Sequence, residues 1–157
     1  MIRKAHIEDV REIHALLQHF AGQGLLLGRS ISSLYDSLRD FVVYDDGGVK
    51  GVCALHITWE NLAEIRSLAV KENAQKQGIG ARLVRRCLAD ASGFGISRVF
   101  TLTYQQEFFR SLGFVTIDKS ALPHKIWSDC INCPQFPDCD EEAMMKTVDG
   151  TEINPDD

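Results

Sequence analysis

The apolar positions of this chain change period along its length, and the period assigns the elements. Val10, Ile13, Leu16, Leu17 and Phe20 recur at three- and four-residue spacing, which predicts an amphipathic helix over 8–21. Gly22 and Gly24 end it. Leu25-Leu26-Leu27-Gly28-Arg29-Ser30 follows, unusually apolar for a connection. Ser32 or Ser33 can then cap a short second helix carrying Leu34, Tyr35 and Leu38. From Phe41 the pattern is that of strands. Residues 41–44 and 49–58 flank Asp45-Asp46-Gly47-Gly48, a good hairpin turn. Residues 62–70 form the next strand, and a loop and long helix run to about residue 92. A strand over 96–103, a helix over 105–112 and a strand over 114–117 follow, with a last strand available near 143–148.

Three sequential strands joined by short turns are expected to be antiparallel. The strands on either side of the long helix are expected to be parallel, because a crossover joins them. The expected fold is therefore α/β (α+β), a mixed central sheet with helices on both faces. Residues 1–148 read as one domain. Within it, 119–142 is rich in Cys, Pro and Asp without periodicity and reads as an ordered loop; 149–157 reads as a frayed acidic tail.

Composition narrows the function classes. The chain has 157 residues, 45% apolar and 25% charged, as a soluble globular domain would. No apolar run approaches the roughly 20 residues needed to span a bilayer. The start, Met-Ile-Arg-Lys-Ala-His, has no signal-peptide core, so the expected compartment is the cytoplasm and no membrane partner is expected. A net charge of −5 without a basic stripe argues against nucleic acid. Any anionic ligand must then be held by local arginines and amides.

One segment offers such amides. Gln75-Lys76-Gln77-Gly78-Ile79-Gly80 lies between the 62–70 strand and the long helix. The first N–H groups of a helix lack internal partners, and its dipole adds positive charge there. Gly78 and Gly80 carry no Cβ, so a phosphate can approach the main chain closely. The segment lacks the Gly-Lys-Ser/Thr ending of a P-loop and the third glycine of a dinucleotide fold. It closely resembles the pyrophosphate loop of the GNAT superfamily of acetyl-CoA-dependent N-acyltransferases. The amino-terminal helix leading into a hairpin, the apolar strand after the loop helix, and Phe108-Phe109-Arg110-Ser111-Leu112-Gly113-Phe114 extend the resemblance over about residues 2–118.

The resemblance implies acetyl-CoA as acyl donor and assigns expected roles. The amides of Gln77, Gly78, Ile79, Gly80 and Ala81, with Lys76 and Arg82, would hold the cofactor, and Gln75 would brace the loop. The main chain of Leu68, Ala69 and Val70 would pair with the pantetheine arm while their side chains stay in the core. Glu64 matches a glutamate that, in several GNAT branches, draws the proton from the attacking amine through water; read alone, it is equally a solvated edge residue. Many members carry a tyrosine acid four residues before the glycine of the late Gly-Phe pair, a position held here by Phe109, which cannot donate. Tyr104 and Thr103 are the nearest substitutes, and thiolate departure without a side-chain acid is equally open.

Within the superfamily the chain most resembles the short single-domain N-acetylglutamate synthases of bacterial arginine biosynthesis. Residues 25–30 with Leu34-Tyr35, residues 64–70, and residues 99–104 with Phe108-Phe109 carry that likeness. It implies acetyl transfer to the α-amine of L-glutamate, the first step of arginine biosynthesis, by direct attack in a ternary complex. Other amines (a protein N-terminus, a polyamine, another small molecule) and a non-catalytic acetyl-CoA-binding module remain the alternatives, and a homodimer is allowed. A dicarboxylic acceptor suits arginine, which can grip a carboxylate with two parallel bonds. Arg66 lies two residues from Glu64, hence on the same strand face, and Arg29 could clamp a second carboxylate. The plainer alternatives are an ion pair between Arg66 and Glu64 and a surface role for Arg29. His124, Cys130, Cys133 and Cys139 are spaced for a structural zinc, a redox pair or plain thiols; none is assigned as a metal ligand. Cys53 and Cys87 read as core, and His14, His19 and His56 as structural or solvated.

Overall fold

The structure is a computed structural model that describes residues 1–26, 28–123, 126 and 141–150. Strand β1 (Ile2–Lys4) leads through a short turn into α1 (Val10–Ala21), then α2 (Ile31–Asp36), β2 (Phe41–Asp45), β3 (Val49–Trp59) and β4 (Leu62–Val70). Helix α3 (Ile79–Gly93), β5 (Arg98–Thr103), α4 (Gln106–Ser111), β6 (Val115–Ile117) and β7 (Glu142–Thr147) complete it. The seven strands form one sheet in the order β1-β2-β3-β4-β5-β7-β6. The antiparallel run β2-β3-β4 and the parallel β4-β5 pair are those expected. Glu142–Thr147 pairs with both β5 and β6, so the last strand is real.

Three local expectations are corrected. β1 was not anticipated: three residues are too short to show a period, and pairing with β2 is what makes them a strand. Helix α2 is capped not by Ser32 or Ser33 but by Ser30, whose hydroxyl accepts the Ser33 N–H at 3.0 Å. β5 begins at Arg98 rather than residue 96 because Ile96 still belongs to the end of the helix, donating its N–H to the Ala91 carbonyl.

Alternation along the strands divides the interior in two. Val42, Cys53, Leu55, Ala63 and Ile65 pack with Leu83, Val84, Cys87 and Leu88 of α3 and Phe109 of α4. Phe41, Val43, Val52 and Ala54 point the other way, onto Val10, Ile13, Leu17 and Phe20 of α1 and Leu34 of α2. Each large side chain fully buried this way contributes about 1.5–3 kcal/mol. Cys53 and Cys87 are wholly buried free thiols on the α3 side. Contact with Cys53, then burial, pushes the Cys87 thiol up.

Two register shifts between β3 and β4 interrupt the alternation near the site. At the β3-β4 hairpin, Trp59 faces Leu62 but Ile57 faces Ala63, leaving Thr58 as an extra residue. Further along, Ala54 faces Arg66 whereas Val52 faces Ala69, so Ser67 and Leu68 together oppose Cys53. Ser67 takes φ +57°, an uncommon left-handed value for a residue with a side chain. This bulge returns Leu68 and Val70 to the α3 side and Ala69 to the α1 side.

Candidate functional site

β4 and β5 pair only over Leu62–Glu64 against Arg98–Phe100. The Thr101 hydroxyl then donates to the Ile65 carbonyl at 2.9 Å, and beyond this the ladder between the two strands ends. The bulge at Ser67 bends β4 at this level, so the sheet opens as a wedge with backbone along its sides. The main chain of Leu68, Ala69 and Val70 borders it, while their side chains pack into the two cores.

The wedge points toward the start of α3. Gly78 caps that helix with φ +78°, and its first backbone bond is the Arg82 N–H to the Gly78 carbonyl, 3.1 Å. The amides of Gln77 to Ala81 therefore precede the internal ladder, as the sequence led one to expect for an anion seat. A Cβ at Gly78 would have nothing within 4 Å, so the approach to these amides is open. Lys76 is also left-handed at φ +64°, which completes the tight turn. The Gln75 side chain donates to the Val70 carbonyl at 2.9 Å and so ties the loop to the end of β4. Arg82 lies over the Tyr44 ring, 5.4 Å from its centre. A loop of bare amides beside an open strand edge fits the diphosphate and amide-bearing arm of Coenzyme A.

A second group of side chains gathers on the α1 side of the sheet. Glu64 and Arg66 share that face of β4, with Arg66 Nη1 3.7 Å from Glu64 Oε1. Arg29, from the loop before α2, comes over the same face, 5.5 Å above the Phe41 ring. Its guanidinium donates to the hydroxyls of Ser33 and Ser37 at 2.8 and 2.9 Å. Burial, then the like charge of Arg66, lowers the Arg29 pKa, while Asp40 and Glu64 oppose the shift. Among the described residues, Arg29 Nη1 and Arg66 Nε are buried without a hydrogen-bond partner. Two neighbouring guanidinium groups with orphaned donors are an arrangement that an anion would relieve.

Tyr104 stands just after β5, 40% exposed. Phe109 is buried, edge-on between Phe108 and Phe114, so that position belongs to the core. The Cys130, Cys133 and Cys139 loop and His124 lie outside the described residues, as does Leu27. In the sequence His56 reads as structural or solvated and Asp40 is not singled out, yet the structure brings both beside Glu64. His56 faces Glu64 across the β3-β4 pair, and its Nδ1 lies 2.8 Å from Asp40 Oδ2. A plain count from the hairpin turn would not have found them, because the extra residue at Thr58 shifts the register.

The Acetyltransferase (GNAT) family model matches residues 8–114. The chain belongs to the GNAT acetyltransferase family. An uncharacterized N-acetyltransferase of Chlorobaculum tepidum is 43% identical over 148 residues, covering 94% of this chain and 96% of that protein. An amino-acid acetyltransferase of Mycobacterium tuberculosis is 34% identical, covering 82% of this chain and 76% of the relative. Among solved structures, N-acetylglutamate synthase of Neisseria gonorrhoeae with coenzyme A and N-acetyl-glutamate superposes with a TM-score of 0.87 at 32% identity. That match covers 95% of this chain but 35% of the synthase. The GNAT chain is thus an acetyltransferase whose donor is acetyl-CoA, and no helix among its described residues is long and apolar enough to cross a membrane.

Proposed function

We propose that this GNAT enzyme transfers the acetyl group of acetyl-CoA to the α-amine of L-glutamate, as the entry step of arginine biosynthesis in the cytoplasm. The observation that carries the proposal is the pair of orphaned, buried N–H groups on Arg29 and Arg66 beside Glu64. A dicarboxylic amino acid brings two carboxylates to two guanidinium groups and leaves its amine beside a carboxylate. A polyamine would bring further positive charge to the same place. Relatives named amino-acid acetyltransferase and N-acetylglutamate synthase favour the same acceptor class.

In this proposal residues 1–148 act as one acetyltransferase domain. The amides of Gln77 to Ala81, with Lys76 and Arg82, hold the diphosphate, and Gln75 fixes the loop. The main chain of Leu68, Ala69 and Val70 pairs with the pantetheine arm, which sets the thioester at the base of the wedge. Arg29 and Arg66 bind the acceptor carboxylates, Glu64 takes the ammonium proton, and Tyr104 is the candidate to return one to sulfur. Each charge-assisted bond contributes about 1.5–3 kcal/mol. A thiol-release assay with acetyl-CoA against the twenty free amino acids and a polyamine tests it. L-Glutamate should be the best acceptor; turnover with a polyamine and none with glutamate or glutamine would reverse the assignment.

A further inference from the structure

An amino acid near neutral pH is an ammonium ion, and no lone pair is available until a proton has left. Glu64 is the nearest acceptor on the proposed reading, but Arg66 lies 3.7 Å from it and Arg29 feels its charge. Once it has taken that proton, Glu64 must give it up before the next amine can be deprotonated. Something beside it must accept the proton for the next cycle.

His56 is placed for that. It is the direct cross-strand partner of Glu64, on the same face of an antiparallel pair, where opposed Cβ atoms lie about 4.5–5.5 Å apart. Asp40 comes from the turn before β2, and its Oδ2 lies 2.8 Å from His56 Nδ1. A carboxylate beside Nδ1 favours a proton on that nitrogen and leaves Nε2 as the ring atom turned to proton exchange. Both partners are about two-thirds or more withdrawn from water, with side chains 33% and 24% exposed. Among the described residues, Asp40 before β2 bonds this ring and Glu64 on β4 opposes it across the strand pair, with Arg66 on β4 and Arg29 before α2 as the cations next to Glu64.

We propose that Asp40 and His56 form a proton relay behind Glu64. The ammonium gives one proton to Glu64 through water, Glu64 passes it to His56 Nε2, and His56 releases it to solvent. The freed nitrogen lone pair attacks the thioester carbon, the carbon–sulfur bond breaks with its electron pair going to sulfur, and the second amine proton ends on the thiol. Amide, free thiol and one released proton balance ammonium and thioester. His56 acts through Glu64, so it is a positioning and relay residue and does not touch the acceptor. The inference rests on the proposed amine acetylation.

The test compares the full-length wild type with His56→Ala, Asp40→Asn and Glu64→Gln, measuring kcat and both KM values with acetyl-CoA and L-glutamate. His56→Ala should lower kcat about ten-fold with both KM values within two-fold, and added imidazole should restore most of the loss. Asp40→Asn should show a similar loss that imidazole does not restore. Glu64→Gln should be the most impaired and insensitive to imidazole. An unchanged kcat in His56→Ala, or a loss without rescue, overturns the relay while leaving amine acetylation standing. A His56→Ala enzyme more impaired than Glu64→Gln overturns the order of transfer. Absence of turnover in the wild type with any amine defeats the underlying reaction and the relay with it.

Discussion

In the function proposed, the donor side and the acceptor side of this site are built by different means. On the donor side, backbone does the work: unpaired amides before α3, the open edge of β4 and a left-handed glycine. All of it lies within residues 62–82. On the acceptor side, side chains do the work, and they come from four separate places: Arg29 before α2, Asp40 before β2, His56 on β3, and Glu64 and Arg66 on β4. A donor that never changes can be held by main chain, which most side-chain substitutions leave in place. An acceptor that distinguishes one enzyme from another has to be held by groups that evolution can exchange.

That division can be broken at its strongest point first. Arg66→Ala removes one of the two buried guanidinium groups and should raise the KM for L-glutamate about 100-fold, as loss of a charge-assisted contact of about 1.5–3 kcal/mol implies. The KM for acetyl-CoA should stay within two-fold in steady-state assays. A comparable rise in both would mean that the two halves are not separate.

Gly78→Ala is the converse. The φ of +78° is disfavoured for any side chain, by roughly 1–2 kcal/mol, and the new methyl group would stand in the open approach to the amides. The KM for acetyl-CoA should rise roughly ten-fold while that for glutamate holds. Calorimetric titration with Coenzyme A alone checks the same loss without turnover.

The contrast also explains what could be read in advance. The strand, loop and helix of the donor side are contiguous, so their order could be read from the residues, while the cofactor roles came from the resemblance. That Glu64 and Arg66 share a face was legible because residues two apart on a strand do so, while the role expected of Glu64 came from the resemblance. The place of His56 was not legible. Counting back from the Glu60-Asn61 turn puts Ile57 opposite Glu64, and only the extra residue at Thr58 moves His56 there instead. The same holds at Ser67, where a bulge that no propensity announces puts Leu68 back on the α3 side. Local periodicity reports elements and faces; register across a bulge is decided by packing on both sides of the sheet.

A substitution remote from both halves should leave both KM values alone. Asp9 is buried and takes two bonds from the Arg3 guanidinium at 2.7 and 3.0 Å, with the His6 N–H at 2.7 Å. The Arg3 bonds, then the His6 N–H, hold its carboxyl below the ordinary range against the effect of burial. A depressed carboxyl stabilises the fold above its unfolded pKa of about 3.9 and loses that contribution as pH falls through the folded value. Asp9→Asn should therefore lower unfolding free energy by about 2 kcal/mol at pH 7, and the gap to wild type should begin to narrow below about pH 4 and shrink further as pH falls toward the folded value. Urea titrations at the two pH values check it, and a changed KM at pH 7 would link this corner to the site.

The smallest effect should come from the proton's return to sulfur. With Phe109 locked between Phe108 and Phe114, the hydroxyl many relatives by fold would place there has no counterpart in this core. Tyr104 carries a hydroxyl just after β5, and at 40% exposure its loss should not disturb folding. A thiol of the cysteine kind has a pKa of about 8.5, so sulfur leaves as a fair anion and gains little from an acid. Tyr104→Phe should accordingly lower kcat by about three-fold, with both KM values and the urea midpoint unchanged. A loss of about 100-fold would show that breaking the carbon–sulfur bond is what limits the rate. The site would then need a side-chain acid on the donor side, and main chain alone would no longer suffice there.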